Sequence, residues 1–249
     1  QRQMCIRDSP QNMVLTVAGK INQAKVKNLA NTYFSSIQGK GKKKTEKVKI
    51  AQSKAKVKLV NKKTEQGHFC LGVPGYSYAH PDRFALALLA TILGGGMSSR
   101  LFTQIRERRG LAYYVDCSPD FFTDSGFLVA QSGVRLKMIE EVIKLVLAEF
   151  NDLSENPVAE KELKKAKELN KGRFILSLED SQNVAGRYTN LALLEKKIRT
   201  PEETMALIDS VTIADIQRVA KDVFRSGKLN LAVIGPYQDK ERLSKLLLI

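Results

Sequence analysis

Between residues 94 and 115 the sequence reads GGGMSSRLFTQIRERRGLAYYV. The glycines stop any helix that reaches them, and Leu101, Phe102 and Ile105 then recur at helical spacing. Arg106, Arg108 and Arg109 put positive charge where helix carbonyls end, and Ser98 or Ser99 is placed to cap the start. Gly110 stands where a left-handed residue closes a helix, and the aromatic, extended run LAYYV follows at once. A helix that halts at glycine and reverses into a strand requires a sheet beside the helix.

The rest of the chain supplies that sheet. KVKLVNK at 56–62 alternates with period two, and HFCLGVPGY, LAYYVDCS and GFLVAQSGV read as further strands. The run at 82–93, DRFALALLATIL, is apolar on nearly every side and reads as a buried helix. Met138, Val142, Val146, Phe150 and Leu153 mark an amphipathic helix, and Asn156-Pro157 is expected to start another. Thr200-Pro201-Glu202-Glu203 has the form of a capping box, and Thr212 is placed to cap a helix between Val211 and Ile213. Paired strands amid helices predict an α+β fold: a mixed, mainly antiparallel sheet with helices packed on one face.

Two segments repeat. MVLTVAG at 13–19 and LNLAVIG at 229–235 are each an apolar strand pattern ending in glycine, followed by a helix pattern. The chain therefore reads as two copies of one unit, the first truncated, with Asn22 capping the first copy's helix. The expected boundaries are an adapter-like artefact at 1–10, the end of the first domain at 11–38, a lysine-rich linker at 39–56 and the second domain at 57–249.

The formal net charge is +15, of which 40–63 carries +10 through eleven lysines and Glu46. No aromatic lies between Phe34 and Phe69 to stack bases, so the block reads as a solvated linker and nucleic-acid binding is the minor alternative. Cys5, Cys70 and Cys117 lack C-x-x-C spacing, which argues against a zinc knuckle or a disulfide framework. No apolar run is long enough for a membrane span, and the chain reads as a soluble protein of bacterial cytoplasm or periplasm.

Arg106 and Tyr113 lie seven residues apart across Gly110, so both could face one groove. A guanidinium and a phenol can donate hydrogen bonds to a peptide carbonyl and to the oxyanion formed when water attacks it. The same spacing also fits a surface arginine and a packed tyrosine.

The segment LGGGMSSRLFTQIRERRGLAYYV resembles the second-domain signature of the pitrilysin/insulinase family of zinc peptidases, in the branch that includes mitochondrial processing peptidase. NMVLTVAGKI, GRFILSLEDSQNVAGRYTNLALLEKKI and VTIADIQRVAKDVFRSGKLNLAVIGP are similar to further stretches of that family in the same order. The resemblance implies two α+β domains per chain half, and two halves closing as a clamshell, homo- or heterodimeric, around a peptide substrate. It implies a zinc-dependent hydrolase in which Arg106 and Tyr113 reach the scissile bond, with Tyr114 the neighbouring candidate. Gly94, Gly95, Gly96 and Tyr114 are the implied substrate contacts. The family's zinc helix, H-x-x-E-H, has no counterpart: the chain's only histidines are His68 and His80. His68 and Cys70 could share a strand face, but two further ligands are not evident. The expectation is therefore a C-terminal part that leaves zinc to the missing N-terminal domain and is inactive alone. The alternative is a non-catalytic partner or structural core subunit of the same family.

Overall fold

The computed structural model describes residues 13–37, 46–195 and 197–247. The expected artefact at 1–10 and part of the expected linker at 39–56 lie outside these residues. The chain divides into two compact units, one drawn from Gln1–Lys47 and Gly172–Thr204, the other from Val48–Lys171 and Met205–Ile249.

The larger unit is built on five strands: β1 (Lys56–Asn61), β2 (Gln66–Pro74), β3 (Ala112–Phe121), β4 (Gly126–Arg135) and β5 (Asn230–Gly235). Their spatial order is β1-β5-β2-β4-β3, with β1 and β5 parallel and every other pair antiparallel. Side chains alternate across the sheet as period-two patterning requires. Phe69, Leu71 and Val73 of β2, Leu128, Ala130 and Val134 of β4, and Leu231 and Val233 of β5 are buried. They pack in one cluster with α2 (Arg83–Gly94), α3 (Ile139–Glu155) and α7 (Ile213–Val223), so the helices cover one face. Helix α2 buries eight of its twelve residues, as its all-round apolar sequence requires. Helix α3 buries Ile139, Val142, Ile143, Val146, Phe150 and Leu153, a stripe at helical period. Thr212 and Asp215 form the reciprocal capping box of α7. Among the described residues of this unit, the opposite face of the sheet carries no helix.

The smaller unit contains α1 (Gln23–Phe34), α5 (Ser181–Asn190) and a π-helical turn at Leu191–Glu195. Asn22 caps α1 by accepting from Lys25 N at 3.0 Å, as expected. Between the units' sequence segments run α4 (Glu160–Ser177) and α6 (Pro201–Asp209), with the short α8 (Lys240–Ser244) near the end. Helix α4 begins at Glu160, three residues after the expected Pro157.

The expected strand of the first copy does not form. Residues 13–18 pair with no strand among the described residues, whereas the matching run 229–235 yields β5, flanked by β1 and β2. Identical patterning gives different outcomes because a strand exists only through ladder partners. The glycine and capped helix that follow are present in both copies: Gly19 and Gly235 have positive φ, and Asp239 accepts from Arg242 N at 2.8 Å as Asn22 does from Lys25.

Candidate functional site

The 94–115 segment joins the C-terminus of α2 to β3. Gly94 is buried so closely that a Cβ there would sit 2.4 Å from Cys117 N of β3; this glycine sets the helix–sheet spacing. Gly95 N closes the helix on Thr91 O at 3.0 Å. The serine caps expected here do not form. Ser99 is buried, and its hydroxyl donates backwards to Gly96 O at 2.5 Å, tightening the turn instead of receiving helix N–H groups.

The next helix is fixed by a residue that sequence reasoning passed over. Arg100 donates to both carboxylate oxygens of Glu162, at 2.7 and 2.9 Å, and to Asp152 Oδ2 at 2.6 Å. Those hydrogen bonds hold its guanidinium proton even more firmly than usual, against the cost of burial. The fork clamps the start of the segment onto α3 and α4. A signal existed in the three acids Glu149, Asp152 and Glu162, but only folding brings them to one arginine.

Residues Phe102–Glu107 then form a π-helix instead of the expected α-helix, with Arg108 N donating to Thr103 O at 3.0 Å. Gly110 has φ +57°, the left-handed conformation expected of a closing glycine. Gly110 N donates to Arg106 O at 3.2 Å and Leu111 N to Ile105 O at 2.9 Å, so the helix end is stitched to the start of β3. Ile105 is buried beneath this turn, while Arg106 is exposed, its guanidinium carbon 5.1 Å from the Phe102 ring centroid. Among the described residues Arg106 makes no ion pair.

Strand β3 opens with a bulge. Ala112 pairs with Val134 and Tyr114 with Gly133, leaving Tyr113 as the extra residue, 57% exposed. Tyr114 lies on the helix-free face, its ring over Gly133 and its hydroxyl 3.2 Å from His68 Nδ1. Burial raises the Tyr114 phenol pKa, with Cys70 and Asp116 adding to the shift. In the next row Gln131 Nε2 donates to Asp116 Oδ2 at 3.2 Å. The Gly110 turn thus separates an exposed guanidinium, lying over Phe102, from an exposed phenol, and the strand that follows gives the second phenol a packed, hydrogen-bonded place.

Residues 9–170 match the family model described as the peptidase M16 inactive domain. The chain is 34% identical to an uncharacterized zinc protease of Mycobacterium leprae, over 98% of this chain and 55% of that one. It is 32% identical to the uncharacterized zinc protease YmxG of Bacillus subtilis, over 92% of this chain and 55% of that one. This chain belongs to the peptidase M16 family. Among solved structures, the M16 chain is similar to a protease from Helicobacter pylori at TM-score 0.79 and 24% identity, over 88% of this chain and 54% of that one. The peptidase M16 inactive domain from Pseudomonas fluorescens gives TM-score 0.78 at 23% identity, over 89% and 53%. These two likenesses concern the fold. The chain spans about half the length of the curated relatives it matches.

Zinc finds no ligand set among the described residues of this M16 chain. Among the described residues no three His, Cys, Asp or Glu side chains gather as metal ligands. His80 stacks on Tyr76 at 4.0 Å and accepts from Asp82 N at 3.1 Å, while His68 faces Tyr114. His68 and Cys70 do share the free face of β2, but no third ligand joins them. The described residues do not fit a catalytic zinc site. Among the described residues, no helix is long and apolar enough to cross a membrane.

Proposed function

We propose that this chain is the C-terminal, substrate-chamber part of a zinc-dependent metalloendopeptidase acting on peptides, of the branch that includes mitochondrial processing peptidase. Arg106 and Tyr113 contact the scissile carbonyl in this reading. What supports it is that Arg106 and Tyr113 are both exposed on either side of the Gly110 turn, and among the described residues neither side chain has an ion pair or a hydrogen bond. A peptide carbonyl approaching this junction would accept hydrogen bonds from the phenol and the guanidinium, and both would strengthen as negative charge develops on its oxygen. The relatives are named zinc proteases, and zinc would be held by residues outside this chain.

Tyr114 and the Gly95–Gly96 turn are proposed to border the peptide, with Gly94 setting their position from within the core. The partner is the protein's own N-terminal domain, and two halves would close as a clamshell dimer. Bacterial relatives support a bacterial cytoplasm or periplasm. The expected boundaries, with the second domain starting at 57, belong to the same proposal.

The test uses the full-length protein. Tyr113→Phe and Arg106→Lys should each lower kcat by about 10²-fold, the scale for losing one oxyanion donor, with unchanged thermal midpoints. Undiminished turnover in both variants would remove the pair from the chemistry. A second reading, a non-catalytic partner or structural core subunit, draws on the lack of a ligand set among the described residues. It predicts no peptide hydrolysis by the zinc-loaded full-length protein.

A further inference from the structure

The helix-free face of the sheet carries a groove of about 700 Å³ that the Arg106–Tyr113 pair does not use. Its floor is small and apolar, made by Cys70, Gly72, Val129 and Ala232. Phe122 and Phe127 form one wall, their ring centroids 5.9 Å apart. A strap bearing Val48 and Ile50, both more than half exposed, also lines the groove. The strap is fixed at both ends: Val48 N donates to Asp124 Oδ2 at 2.8 Å beyond β3, and Gln52 Nε2 donates to Gly227 O and Leu229 O at 3.0 and 3.1 Å before β5. Lys56 and Lys58 reach the groove from β1, and among the described residues neither ammonium has an ion pair or a hydrogen bond.

We infer that this groove is a substrate subsite for a large apolar side chain of an extended peptide with acidic residues beside it. Apolar walls over an apolar floor favour a hydrophobic side chain, and two unpaired ammonium groups at the β1 edge favour carboxylates over cations. The floor offers one thiol and no ring of donors, so neither a sugar nor a metal is the natural occupant. Cys70 lies two strands across and one side-chain row along from Tyr114, about 12 Å by ordinary strand spacings. An extended peptide held at Tyr113 would therefore place a residue about four positions from the scissile bond in the groove. This placement rests on the peptidase reading, whereas the binding preference does not.

The test is binding to the full-length protein in EDTA, which stops cleavage and leaves only affinity to be read. Fluorescein-labelled peptides with phenylalanine flanked by glutamates should bind about tenfold or more tightly than the same peptides flanked by lysines. The double variant Lys56→Glu/Lys58→Glu should reverse that preference. Ala232→Trp, which fills the floor from the solvent side, should weaken both; if it fails to fold, the charge reversal on the exposed strand decides. Equal affinities for the two peptides, a preference that survives charge reversal, tighter binding of an oligothymidylate, or self-association that closes the groove would each overturn the inference. Failure of the Arg106–Tyr113 reading appears separately, as unchanged turnover in those variants.

Discussion

Tyr113 and Tyr114 carry the same phenol, and one unpaired residue in β3 separates their surroundings. Tyr114 lies against the only kind of neighbour that leaves room for it: a Cβ at Gly133 would come within 2.5 Å of Tyr114 Cε1. Gly133→Val should push the ring off the sheet and out of reach of His68. The Tyr114 phenol should then titrate closer to the ordinary value, since the burial that raises it would be lost. Ultraviolet titration against a Tyr114→Phe control reads this directly, and an unmoved phenol would mean that the ring is held by something other than the Gly133 gap. The expected stability loss is about 1 kcal/mol, because a half-exposed ring can swing away without straining the core.

At the scale of elements, the 100–112 segment is held by one clamp and one turn. Arg100→Met removes the partner of three acids, among them Glu149, whose pKa burial already raises. It should cost about 3 kcal/mol, read as a lower urea midpoint, because carboxylates would remain partly buried without their counter-charge. Gly110→Ala meets no atom within 4 Å, so any loss there is backbone strain at φ +57°. About 1 kcal/mol is expected, and Gly110→Asn should recover most of it. Helix α7 supplies a pH prediction. Hydrogen bonds from Thr212 and then Arg218 pull the Asp215 carboxyl down to about 2. A depressed carboxylate stabilises above its unfolded pKa, near 4, and that contribution fades as pH falls towards about 2. Asp215→Asn should therefore flatten the acid limb of the stability curve between those values; an unchanged limb would show that the cap carries none of it. Caps such as Thr212 and the closing Gly110 were legible because their hydrogen bonds join residues close in sequence. The π-helix, the bulge at Tyr113 and the Arg100 fork were not, because Leu101, Phe102 and Ile105 satisfy either helical spacing and the acids approach Arg100 from 49 residues away or more.

For the molecule as a whole, burial is distributed unequally. Every member of the continuous hydrophobic core, from Phe69 to Leu247, belongs to the larger unit. In the smaller unit α1 and α5 bury no residue, and Met13, Leu15, Tyr33 and Phe34 stand exposed around a groove of about 470 Å³ or beside it. The repeat of strand, glycine and capped helix was readable in both places, yet a pattern marks which face wants burial without supplying the surface that buries it. Helices without buried apolar contacts open locally at little cost, since propensity alone does not sustain segments of this length. Native-state hydrogen exchange of this chain should therefore show α1 and α5 amides opening at on the order of 1–2 kcal/mol. Amides of β2, β4 and α3 should exchange only through global unfolding, at roughly 5–15 kcal/mol. Equal protection in the two sets would mean that the smaller unit is stabilised as strongly as the sheet, and its exposed apolar residues would then need a different account.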